Sequence, residues 1–213
     1  MPSFPRSGDG GIALWGVGME KGRLEAFTDG VIAVIITIMV LELKPPHEPT
    51  WEALRGSWPI FVSYVLSFVY VAIYWNNHHH MMQAVEKVDG RVMWANLHVL
   101  FWLSLFPFTT AWFSEVRPVP SPVPTATYGA VLLLASLAWI PLVRALIAAN
   151  GGAGGALAQA VGRDWKSRIS SVLYASGIVL AFFVPIVSCV VYVAVAGLWF
   201  VPDRRIERKV IEQ

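Results

Sequence analysis

Five apolar runs with almost no charge inside them constrain this chain most: residues 26–43, 59–77, 92–113, 125–147 and 169–201. A soluble domain carries roughly 25% charged residues. This chain of 213 residues has 14%, against 56% hydrophobic ones. A helix needs about 20 apolar residues to cross a bilayer. Four runs are near that length and the fifth exceeds it. The chain therefore reads as an all-α integral membrane protein.

Proline marks the ends of the runs. Lys44-Pro45-Pro46 closes the first, because proline cannot continue a helix. The fifth run is too long for one helix and carries Pro185, so it splits there into two short spans. The expectation is six transmembrane helices. The basic residues test this count. With six spans, both termini and the second and fourth loops share one side. That side holds thirteen of the 16 lysines and arginines, among them Arg23, Lys87, Arg144, Lys166, Arg168 and Arg204. Lys44, Arg55 and Arg117 lie on the other. The positive-inside rule then puts both termini in the cytoplasm. The expected organisation is a cytoplasmic segment at 1–21, a six-helix domain at 22–202 and a cytoplasmic tail at 203–213. The N-terminal segment has no charged region followed by an apolar core, so no cleavable leader is expected. Cys189 stands alone and can form no intrachain disulfide.

The first run has a polar head: Arg23-Leu24-Glu25-Ala26-Phe27-Thr28-Asp29-Gly30 leads into the aliphatic stretch 31–43. An ionisable group in a span is costly unless it is paired or faces a polar cavity. At 100° per residue, Val34, Thr37, Ile38 and Leu41 form one stripe, which Phe27 and Gly30 continue. Asp29 falls roughly on the opposite side and Thr28 on a flank. Spacing alone also permits ordinary packing of the stripe, with Asp29 as a capping residue.

These residues carry a resemblance. Arg23, Phe27, Thr28, Asp29 and Gly30, followed by an aliphatic run with Ile36-Thr37 and by Leu41-Glu42, resemble the signature of the transmembrane protein 175 potassium channel family. Ser67-Phe68 and Tyr74-Trp75-Asn76-Asn77-His78-His79 look like that family's second helix. Trp94-Ala95-Asn96-Leu97 and Phe106-Pro107-Phe108-Thr109 look like its third. Thr28 replaces the usual serine and keeps its hydroxyl. Val34 stands where the family often has a larger aliphatic residue. The resemblance implies a passive potassium-selective or potassium-preferring channel in the cell membrane, whose first helices line a central pore. Val34, Ile38 and Leu41 would be its hydrophobic constriction, of a kind that gates by dewetting. Thr37 would supply a selectivity ring of hydroxyls. Asp29, with Arg23, Phe27 and Thr28, would belong to a supporting network, with Trp75, Asn77, His78 and Asn96 as partners. A single-repeat chain resembles the prokaryotic branch and implies a homotetramer in membrane lipid. Glu42 would sit at the outer mouth. The alternative is a secondary cation transporter that uses Asp29 as a coupling site.

Other chemistries have weaker support. Consecutive side chains of His78-His79-His80 point about 100° apart on a helix, so one metal ion cannot easily take all three, and no metal site is expected. No nucleophile–base motif, phosphate loop or nucleic-acid footprint is visible. The chain is not expected to be an enzyme, nor to need a cofactor beyond the permeant potassium ion. Asn150–Gly155 reads as a flexible linker.

Overall fold

The structure is a computed structural model that describes residues 21–116, 118–162 and 165–200. The expected N-terminal segment, but for Lys21, and the C-terminal tail at 203–213 lie outside the described residues. Nine α-helices occur among those described: α1 Lys21–Leu41, α2 Trp51–Gly56, α3 Trp58–Gln83, α4 Gly90–Leu103, α5 Phe106–Glu115, α6 Pro122–Ala149, α7 Ala156–Val161, α8 Trp165–Leu180 and α9 Pro185–Phe200.

Proline chemistry sets several of these ends. A proline lacks the N–H that would bond the carbonyl four residues back, and its ring clashes with that carbonyl. Pro45 stands four residues after Leu41, where α1 stops. Pro107 stands four after Leu103, where α4 stops and α5 starts afresh. Pro185 opens α9, and the four residues before it separate α9 from α8. Caps fix other starts. Asp89 accepts bonds from the Arg91 and Val92 amides at the head of α4. Thr50 accepts one from the Ala53 amide at the head of α2.

Four helical segments among the described residues are long and apolar enough to cross a membrane: Lys21–Leu41, Trp58–Gln83, Gly90–Glu115 and Pro122–Ala149. The third is the α4–α5 pair, broken at Ser104 and Leu105. The helices α8 and α9 are separate, as the split at Pro185 implies, but each has 16 residues. At 1.5 Å per residue that is about 24 Å, short of a bilayer core of about 30 Å. So four spans are met on length, and α8 with α9 forms a shorter helical hairpin.

The helix α6 lies at the centre and touches α4, α5, α8 and α9, whereas α1 packs on α3, α4 and α5. Aromatic rings fill the middle. Tyr70, Phe106, Tyr128, Tyr174 and Tyr192 meet with centroids 6.1–6.4 Å apart. Tyr192 ties the centre together. Its carbonyl accepts the Tyr70 hydroxyl at 2.6 Å, and its own hydroxyl donates to the Thr125 carbonyl at 3.3 Å. Its ring fits only because Gly129 of α6 and Gly177 of α8 carry no Cβ. Ser67, Thr110 and Tyr128 join three helices through hydroxyl pairs of 2.7 and 2.9 Å. In lipid, where apolar contact alone drives little association, small residues and polar pairs of this kind hold helices together.

The glycine-rich stretch after α6 is not a free linker. Gly152–Gly154 form a 3₁₀ turn, and Gly151 takes φ 90°, a conformation open to glycine. Asn150 clamps the turn. Its Oδ1 accepts the Glu86 and Lys87 amides, and its Nδ2 donates to the Lys87 and Leu146 carbonyls. These bonds tie the end of α6 to the α3–α4 loop, and no local sequence pattern announces them.

Candidate functional site: the two faces of the first helix

Leu24, Thr28, Ile32, Ile35 and Met39 are the buried residues of α1. They recur at helical spacing and face α3, α4 and α5. The residues of the periodic stripe are on another face and remain uncovered. Val34 is 55% exposed, Ile38 43%, Leu41 76% and Phe27 50%. Thr37 is exposed among them, and its hydroxyl donates to the Val34 carbonyl at 2.8 Å. Donation uses the only proton of that hydroxyl, which leaves the oxygen's lone pairs as acceptors.

The polar head splits into two arms. In the buried arm, Thr28 is 1% exposed and accepts a bond from Asn96 Nδ2 of α4 at 2.8 Å. His78 of α3, 4% exposed, stands beside Asn96. Two further atoms of this arm, His78 Nε2 and Asn96 Oδ1, make no hydrogen bond of regular geometry to a described residue. In the outer arm, Asp29 Oδ1 accepts the Trp75 indole N–H at 2.9 Å. The Trp75 ring stacks on His79, with centroids 5.6 Å apart and planes 12° apart, and His79 bonds Gln83 at 2.9 Å.

Thr28 and Asp29 meet two of the expected partners, Asn96 and Trp75, but their positions on the helix differ from expectation. The packed face centres about 120° from the stripe rather than opposite to it, as the helical angles of its five members show. Thr28 thus lies at the middle of the packed face, and Asp29 lies exposed at its edge. Arg23 is exposed and bonds nothing among the described residues, so it stands outside both arms. Its angular position on the stripe side accounts for this. Asn77 also stays out. It lies about 200° around α3 from Trp75, and its Nδ2 donates to the Ile73 carbonyl of its own helix at 2.8 Å. It lines a small internal cavity with Tyr74, Trp139 and Tyr174 instead.

Glu42 falls in the turn after α1, half-buried. Lys44 does not pair with it. Its Nζ reaches Glu115 at the end of α5, 3.3 Å away, and both side chains are exposed. Sequence reasoning missed Gln83 and the Lys44–Glu115 pair. A helical i, i+4 spacing to His79 signals the first, whereas the second joins residues with no local relation. Among the described residues, no three of His, Cys, Asp and Glu are placed to hold one metal ion.

Comparison with known proteins places this geometry. The family model for the endosomal/lysosomal potassium channel TMEM175 matches residues 23–107, from the polar head of α1 into α5. A potassium channel of Chryseobacterium sp. (strain P1-3) is 47% identical over 194 residues, which is 91% of this chain and 100% of that protein. This chain belongs to the TMEM175 family. A second relative, a potassium channel of Streptomyces collinus (strain DSM 40733 / Tue 365), is 38% identical over 126 residues, 56% of this chain and 61% of its own length. Among solved structures, the fold is similar to the crystal structure of a lysosomal potassium-selective channel TMEM175 homolog from Chamaesiphon minutus. The TM-score is 0.69 at 26% identity, over 84% of this chain and 95% of that one. Both arms of the polar head lie within the stretch that the TMEM175 model covers.

Proposed function

We propose that this protein is a passive, potassium-preferring cation channel of the cell membrane. Four copies surround a pore lined by the uncovered face of α1, and both termini are cytoplasmic. The observation that carries this reading is that face itself. Val34, Ile38 and Leu41 are aliphatic, with Thr37 among them, on the part of α1 that none of the described helices of the same protomer covers. The reading is supported by the family, whose relatives in Chryseobacterium and Streptomyces are named potassium channels.

One subunit supplies one copy of α1, so a pore with α1 on its wall needs several subunits around an axis. Rings of Val34, Ile38 and Leu41 then narrow the path and expel water when tight, which closes a pore without a moving plug. A ring of Thr37 offers oxygens to an ion that has lost part of its hydration, and the bond from Thr37 to Val34 turns lone pairs rather than the proton toward it. The two arms of the head hold α1 against α3 and α4, and so set the tilt of the lining face. Asp29 is engaged by Trp75 and acts in this support rather than on the ion.

Ion flux through purified protein in liposomes tests the reading. The expected result is a current–voltage relation without saturation that reverses near the potassium equilibrium potential. Thr37→Ala is expected to lower the potassium-over-sodium permeability ratio roughly 3- to 10-fold, the scale of one net hydrogen bond. An unchanged ratio would remove Thr37 from the selectivity path. Saturable flux driven by the gradient of a second ion, abolished in Asp29→Asn, would instead establish a coupled transporter.

A further inference from the structure

A second concave feature lies away from α1, on the side rich in arginine and lysine. It is a cleft of about 620 Å³ between α6 and α8, with the end of α7 closing one edge. Val143 and Ile147 of α6 and Val161 of α7 give it apolar walls. Trp165 stands at its rim, half exposed. Arg144 of α6 and Arg168 of α8 line the same cleft from two different helices, and both are exposed.

Neither guanidinium has a hydrogen-bond or ion-pair partner among the described residues, where the single salt bridge is Lys44–Glu115. No carboxylate lines the cleft among the described residues. The neighbouring Lys166 is placed differently, with its ammonium 5.9 Å from the centre of the Trp199 ring. The cleft thus combines two planar cations, neither paired among the described residues, with an aliphatic wall. A guanidinium fork matches a phosphate oxygen pair and holds it through charge-assisted bonds. The wall needs hydrocarbon in the same place. A free phosphate meets only the first demand and a neutral acyl chain only the second. A tryptophan at the rim fits the depth of the headgroup region. Anionic lipids populate the cytoplasmic leaflet, and basic clefts between helices on that side suit their headgroups.

We propose that the α6–α8 cleft binds an anionic phospholipid, with its phosphate between Arg144 and Arg168 and its acyl chains along Val143, Ile147 and Val161. The site rests on the membrane orientation given above and is independent of whether α1 conducts.

Native mass spectrometry of the purified full chain, titrated with phosphatidylglycerol or phosphatidylcholine, tests it without any flux measurement. Wild-type protein is expected to prefer phosphatidylglycerol. The double substitution R144Q/R168Q is expected to weaken phosphatidylglycerol binding about 30-fold, roughly fivefold for each charge removed, and to leave phosphatidylcholine binding unchanged. R144K/R168K retains both charges but not the fork and should restore only part of the preference. Both arginines are exposed, so circular dichroism and gel filtration of the variants should match the wild type. Equal binding of the two lipids to wild-type protein, or unaltered phosphatidylglycerol binding in R144Q/R168Q, would overturn the proposal. Full competition by glycerol 3-phosphate, which has the headgroup charge but no chains, would overturn it in favour of a soluble-phosphate site.

Discussion

The helices α1 and α6 are close in hydropathy, and both are long enough to cross a membrane, yet the protomer treats them differently. Half of the apolar window of α6 is buried, against 28% of that of α1. The helix α6 has neighbours on several sides, and Gly129, Ala135 and Ala138 let them approach closely. The helix α1 stands at the edge, with one face on α3, α4 and α5. Composition therefore says that both helices belong in lipid, and only the neighbours say which apolar surface is left over. In α6 that surface is consumed inside the protomer. In α1 it is left uncovered among the described residues.

The largest break in this comparison should come from the centre. Gly129→Val puts side-chain atoms where the Tyr192 ring sits. Overpacking of this kind costs about 3 kcal/mol or more. Fluorescence-detected gel filtration after heating should show loss of the folded protomer at a clearly lower temperature. A variant with wild-type thermal behaviour would mean that α9 can shift away without cost.

The next effect should come from the packed face of α1. Thr28→Val keeps the volume but strands the Asn96 amide in a buried position. A loss of about 1–2 kcal/mol is expected in denaturation by a graded detergent series. Thr28→Ser keeps the hydroxyl and should recover most of it. If both variants behave alike, the hydroxyl is not what holds α1 to α4.

On the uncovered face the expectation reverses. Thr37→Ala removes no contact to another helix, so its folding stability should stay within about 0.5 kcal/mol of wild type, while the permeability ratio moves as described above. The smallest effect is expected at the outer end. Lys44→Met removes an exposed ion pair with Glu115, worth about 0–1 kcal/mol. A thermal shift larger than that would show the pair to be shielded from solvent in the assembled protein.

These tests also separate what was legible from what was not. The apolar runs predict all four long spans, and Pro185 predicts the break between α8 and α9, because proline acts on the backbone four residues away regardless of context. The stripe of Val34, Thr37, Ile38 and Leu41 is a consequence of helical angles and is intact in the structure. Angles alone do not give the direction from which α3, α4 and α5 arrive. That is why Thr28 rather than Asp29 occupies the centre of the packed face, whereas the separation of Arg23 and Asn77 from the polar arms follows from their helical angles. The Asn150 clamp is invisible in the sequence, which shows only a glycine-rich linker there, for a similar reason. Its bonds go to Glu86 and Lys87, which are far away in sequence.

The sequence by itself determined the solvent of this protein, the number of its long helices and the composition of each face of α1. Those follow from apolar length, proline and the 3.6-residue turn, all of which are local. The tertiary structure decided which face of α1 is covered, which polar groups meet, and that Arg144 and Arg168 share one cleft. Those depend on how helices far apart in the chain come together, and helix packing in lipid is set by shape and paired polar groups rather than by hydropathy.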